Sequence, residues 1–189
     1  VMALILGICA ATLGKKVDSA ISFAIDTVMG IPHILLLILI SYAMGKGLKG
    51  VIAGVALTHW TSLARLIRGE VMQLRESEYI QIAGKLGLGK WEIAKKHIVP
   101  HVLPQFIVGL VLLFPHAILH ESSITFLGFG LSTEQPAIGV ILSESMRYLI
   151  MGKWWLAVFP GMMLVLTVVL FEKGGTALRQ LLDPGSVHK

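Results

Sequence analysis

Apolar residues run through this chain in long blocks separated by short polar stretches. Blocks near residues 17–45, 50–68, 99–120 and 154–173 each approach the length needed to cross a hydrocarbon layer, which is about 20 mostly apolar residues. Residues 1–13 read as a further, incomplete span, so the pattern predicts about five in all. Backbone groups inside lipid must bond within their own segment or within a closed barrel, and the alternating strands of about ten residues that mark a barrel are missing from the pattern. The predicted fold class is therefore all-α, integral to the membrane and polytopic. The opening run Val1–Leu13 lacks a basic leader and a small-residue cleavage site, and reads as a span truncated at its N-terminus. Neither an internal repeat nor a soluble second domain interrupts the series, so 1–189 reads as one membrane domain.

The stretch from Glu70 to Pro104 breaks the pattern, being too polar to span and too regular to be a loose linker. Tyr79, Ile80, Ile82, Ala83, Leu86 and Leu88 are apolar, as are Trp91, Ile93, Ala94 and Ile98 beyond a Gly87-Leu88-Gly89 break. Spacings of three and four predict two short amphipathic helices. A turn at the glycines would join them, since glycine adopts positive φ without steric penalty. Such an element can lie in lipid headgroups or dock into a groove on a partner, and the pattern alone leaves both open.

Composition agrees with a bilayer as solvent: 55% of residues are hydrophobic and 14% charged. The formal charge of +5 lies between apolar blocks, with no basic stripe interleaved by aromatics, so nucleic acid is not an expected partner. Charge instead predicts orientation, because Lys and Arg flanking spans are retained in the cytoplasm. Of the 16 basic residues, only Lys46, Lys49, Arg147 and Lys153 fall on the second side. The segment 69–97 and the C-terminus are then cytoplasmic, while the 45–50 turn and 121–153 face outward. Cys9 stands alone, which rules out a disulfide framework.

Several motifs carry a resemblance. Gln81-Ile82-Ala83, Gly87 and Ile98-Val99-Pro100 reproduce the spacing of the cytoplasmic Glu-Ala-Ala motif of ABC importer permeases, with Gln81 where glutamate is usual and Ile82 where alanine is usual. Ala64-Arg65, Arg68-Gly69, Leu74-Arg75-Glu76 and Glu78-Tyr79 resemble the approach to that motif in dipeptide, oligopeptide and nickel permeases. Phe126-Leu127-Gly128-Phe129-Gly130 is similar to their outward loop, and Phe159-Pro160-Gly161 with Leu178-Arg179 and Leu182-Asp183-Pro184 to their last span and terminus. Ile138 departs from the usual tryptophan and Glu172 from the usual asparagine. The resemblance implies a family domain that usually has six spans, with residues 70–100 as the coupling loop and Tyr79, Gln81, Ala83, Gly87 and Pro100 as its ATPase-coupling positions. It further implies an inner-membrane location, a second homologous permease, two ATPase subunits and an extracytoplasmic solute-binding protein around the lipid-embedded chain. The chain itself would be non-catalytic and bind no cofactor, with ATP and Mg held by the ATPases. No Gly-x-x-x-x-Gly-Lys-Ser/Thr phosphate loop occurs.

Ionisable residues inside a span are costly and point to function by default. His116 and His120 stand one helical turn apart on one face, and His59 sits in mid-span. Imidazoles so placed can hold nickel, copper or zinc. They serve equally as packed hydrogen-bonding residues or as polar lining without coordination, and all three readings stay open. Leu57-Thr58-His59-Trp60, Pro115-His116 and Leu119-His120 resemble nickel permeases, whereas peptide permeases usually have glycine before that tryptophan. The expected function is thus half of a translocation pathway for nickel, free or chelated, with dipeptide or oligopeptide import as the alternative. His33, after Pro32, together with His97, His101 and His188, reads as structural or solvated. Asp26 and Glu121 need a metal or an opposing cation if they lie in a span. A membrane enzyme is the rival of another class, but His120-Glu121-Ser122-Ser123 lacks the second histidine of a zinc protease.

Overall fold

The computed structural model describes residues 1–182, and the C-terminal positions Asp183, Pro184, His188 and Lys189 lie outside the described residues. Every regular element among them is helical, as the apolar pattern predicts: α1 (Met2–Thr12), α2 (Lys15–Gly30), α3 (His33–Ala43), α4 (Gly47–Glu76), α5 (Glu78–Lys85), α6 (Lys90–Ile93), α7 (Val99–Phe126), α8 (Ile138–Leu149) and α9 (Trp155–Leu182). Three helices are long and apolar enough to cross a membrane, namely α4, α9 and the run Trp91–Phe126 that includes α7; α2 and α3 together qualify as a fourth, broken span. The shorter apolar α1 stands where the incomplete first span is predicted.

The block 17–45 is therefore two helices, not one. Pro32 has no N–H to bond back into α2 and disfavours helical geometry at Ile31, so α2 stops at Gly30 and Pro32 caps α3. The segment 121–153 also holds more structure than predicted, the amphipathic α8, whose Gly139, Val140 and Ser145 are buried. At 12 residues, with Glu144 and Arg147 on it, α8 is too short and too polar to register as a span.

The chain forms two compact units. The first comprises Val1–Gly30, Trp60–Leu110 and the segment from Thr176. Its core gathers small residues of α1 (Ala3, Ala10, Ala11) and α4 side chains such as Ala64, Ile67 and Val71. Gly7 lets α1 approach α4 closely: a Cβ there would stand 2.9 Å from the Ala64 carbonyl. Arg75 donates to the Ala11 carbonyl. Two ion pairs join α2 to α4. Asp18 accepts a two-pronged contact from Arg68, at 2.5 and 2.7 Å, and Asp26 pairs with Arg65. The opposing cation required by Asp26 is thus an arginine.

The second unit comprises Ile31–His59 and Val111–Gly175, with a core of Leu37, Val51 and Ile124 flanked by Ile38, Val55 and Leu131. Here α3 and α4 pack through a Gly50-x-x-x-Gly54 stripe, the small-residue arrangement that lets membrane helices approach. A Cβ on Gly50 would lie 2.7 Å from the Ser41 carbonyl, and one on Gly54 3.0 Å from Leu37 Cδ2. One further turn along both helices, Thr58 meets His33. Ser41 with Gly50, Leu37 with Gly54 and His33 with Thr58 therefore form a ladder whose rungs are spaced one turn apart and run in opposite directions.

Candidate functional site

That ladder carries His33 to its place. The next residue on α4, His59, is 9% exposed, and His120 reaches it from α7 with Nδ1 3.2 Å from His59 Nε2. The three imidazoles are mutually adjacent, with centroids 4.3 Å apart for His33 and His120, 5.0 Å for His33 and His59, and 5.2 Å for His59 and His120. One donor atom from each lies within 4.8 Å of the others. All three belong to the second unit.

Thr58 helps to set which ring nitrogen of His59 carries the proton, with the Val55 backbone as a second hydrogen-bond partner of that ring. Its hydroxyl donates to the Gly54 carbonyl at 2.8 Å, so its oxygen accepts from His59 Nδ1 at 3.1 Å. The proton then sits on Nδ1, and Nε2 presents its lone pair to His120, whose Nδ1–H donates to it.

The histidines singled out from sequence are thus partly united. His59 and His120 meet. His116, one turn earlier on α7, is exposed and is not in the group of three; His33 is. Only the fold could reveal His33, because its partner Thr58 lies 25 positions away, on the next helix beyond the turn that joins α3 to α4. Glu121 accepts from Thr125 Oγ1 at 2.8 Å and from Ser122 Oγ at 3.3 Å, so its carboxylate is engaged within its own helix.

The 70–100 segment, in the first unit, bends at the glycines as its spacing predicts, but only the first of the two expected short helices is separate: beyond the turn the chain enters one continuous helix, Trp91–Phe126. Gly87 makes the turn at φ +88°. On α5, Ile80 and Ala83 face inward and are buried, while Tyr79, Ile82 and Leu86, with Trp91 beyond the turn, are 46, 54, 78 and 80% exposed. Gln81 spends its amide on the Glu76 carbonyl at 3.1 Å, and the Tyr79 ring lies 6.2 Å from that of His97. Between α6 and α7 the helix widens into one π turn, Ala94–Ile98, in which the Val99 amide donates to the Ala94 carbonyl. The widening falls just ahead of Pro100, whose ring would collide with the Lys96 carbonyl in a straight α-helix.

The sequence family described as "Binding-protein-dependent transport system inner membrane component" matches residues 3–186. The chain is 32% identical over 171 residues to the dipeptide transport system permease protein DppC of Bacillus subtilis, covering 90% of this chain and 53% of that protein. It is 36% identical over 179 residues to a DppC of Alkalihalophilus pseudofirmus, covering 95% and 59%. To the nickel transport system permease protein NikC of Escherichia coli it is 31% identical over 186 residues, covering 97% and 66%. The chain thus spans between about half and two thirds of the length of these relatives.

Proposed function

Because the chain belongs to the family of binding-protein-dependent transport system inner membrane components, we propose that it is a permease subunit of an ABC importer and that its substrate is nickel, free or chelated. The observation that carries the nickel reading is the meeting of His59 and His120 from separate helices at 3.2 Å. Nitrogen donors favour late divalent metals over magnesium or calcium, and a short chain of weak ligands lets an ion enter and leave.

In this reading a second, homologous permease completes the pathway, a solute-binding protein delivers substrate from outside, and two ATPases work on the cytoplasmic face, to which the C-terminus also belongs. The 79–97 element is their docking surface. Its inner face is satisfied by Ile80 and Ala83, so the exposed Tyr79, Ile82, Leu86 and Trp91 are left for a partner groove. The Gly87 turn and the helix Trp91–Phe126 would carry the partner's movement toward His120, alternately opening the pathway to either side. Hydrolysis, on the partners, resets it.

Peptide import is the second reading, favoured by relatives named for dipeptide transport at 32 and 36% identity against 31% for the nickel protein. Uptake of radioactive nickel set against labelled dipeptides, in vesicles holding the complete assembly, separates the two. Nickel uptake driven by ATP is expected; dipeptide uptake with none of nickel refutes the nickel reading.

A further inference from the structure

We infer that His33, His59 and His120 together form a three-nitrogen binding site for a divalent late transition metal, with Thr58 as the positioning residue that keeps one ligand in its binding tautomer. The inference rests on the nickel reading and deepens it by adding a ligand, His33, that the chain's motifs do not mark.

The geometry is close to what a metal requires. Metal–imidazole bonds of about 2.1 Å need donor atoms no more than about 4.2 Å apart, and roughly 3.4 Å apart in a tetrahedral arrangement. The pair His59 Nε2 and His120 Nδ1, at 3.2 Å, already meets this, while the group as a whole lies within 4.8 Å. Closing it takes a shift of about 1 Å, within the reach of side-chain rotation about a fixed backbone.

The protonation pattern fits as well. Thr58 holds the proton of His59 on Nδ1, leaving Nε2 as a ready ligand, which is what a metal-binding histidine obtains from its outer hydrogen-bond partner. His120 Nδ1–H points at that same nitrogen, so a proton occupies the place the ion would take. Entry of the ion moves the His120 proton from Nδ1 to Nε2 and leaves every ring neutral.

All three ligands are uncharged imidazoles, so the site supplies no counter-charge to a dication. A site on a transport path should hold its ion this way, selecting for nitrogen-loving metals by ligand type while leaving the charge uncompensated so that the ion can depart. His33 is held by two constraints that do not depend on metal, the Pro32 cap that starts α3 and the Gly50/Gly54 ladder that sets its level against Thr58.

The test is nickel binding to the complete assembly in detergent, with nickel chloride as the probe. Equilibrium dialysis supplies the affinity, and X-ray absorption at the nickel edge counts imidazole ligands. Wild type should show three histidine ligands. His33→Ala should remove one and weaken binding at least tenfold, and His33→Gln, which retains a polar contact to Thr58, should do the same with an unchanged melting temperature. Thr58→Val should weaken binding about tenfold or more, the scale of lost outer-partner support, with Thr58→Ser restoring it. His101→Ala, in the other unit, should change neither readout. Wild-type affinity and ligand count in both His33 variants overturn the site, as does a ligand lost in His116→Ala in place of His33→Ala. Nickel transport unchanged in those His33 variants leaves the importer reading intact while removing this one.

Discussion

Adding one methyl group at Gly50 tests whether backbone approach between α3 and α4 sets the position of His33. In Gly50→Ala the new Cβ would stand 2.6 Å from Ser41 Oγ, 2.7 Å from the Ser41 carbonyl oxygen and 3.0 Å from its Cα. Ordinary contact begins near 3.4 Å, so backbone must retreat by about 0.7 Å. No rotamer relieves this, because two of the three atoms are main chain. Overpacking of this kind costs about 1–3 kcal/mol, against a gain of about 1 kcal/mol from replacing glycine by alanine in a helix. The clash should win, because main-chain atoms cannot yield, for a net loss of up to about 2 kcal/mol. The control is Gly54→Ala, where the nearest atom is a side-chain terminus, Leu37 Cδ2 at 3.0 Å, and the nearest main-chain atom lies at 3.7 Å. There the propensity gain should match or exceed the strain. Thermal unfolding of the purified assembly in detergent reads the difference: Gly50→Ala should melt below wild type and Gly54→Ala at or above it. Because Ser41, Leu37 and His33 share one face of α3, Gly50→Ala should also weaken nickel binding. The reverse ranking of the two variants would refute the packing argument.

Other expectations follow from the same geometry. Gly87→Val places a β-branched residue at φ +88°, a strain on the order of 1–3 kcal/mol at one residue; substrate uptake should fall while the amount of inserted protein holds, and wild-type uptake would remove the coupling assignment. Replacing Ile82 and Leu86 together by Ser strips apolar side chains from an exposed face, so co-purification of the ATPases should drop with melting nearly unchanged. Asp18→Asn deprives the Arg68 guanidinium of its two-pronged partner; the variant should lose stability, and the exchange Asp18→Arg with Arg68→Asp should recover part of it in a thermal melt. If Asp18→Asn is neutral, the pair contributes nothing measurable.

The membrane class, the number of apolar blocks and the bent 79–97 element were legible because each follows from local rules. A helix in lipid needs only a run of apolar residues, and the Gly87 turn needs only a residue that tolerates positive φ. The split of the 17–45 block was half-visible: Pro32 marks it, yet apolar residues continue across it and favour reading one span. Helix α8 was hidden because its apolar face is short and shares the sequence with Glu144 and Arg147. Asp26 reads as an ionic liability along the chain, and only the fold sets Arg65, 39 positions further on, beside it.

Sequence by itself determined that this chain lives in lipid, that its regular structure is helical and that His59 and His120 are chemically conspicuous there, since solvent, backbone saturation and side-chain type are properties of the residues. Which imidazoles meet was decided only in three dimensions. Gly50 and Gly54 permit α3 to lie against α4, the antiparallel register brings His33 level with Thr58, and α7 closes the group with His120 while leaving His116 outside it. Contacts of this kind depend on the level at which helices pack, and a pattern along one helix carries no measure of its height against the next.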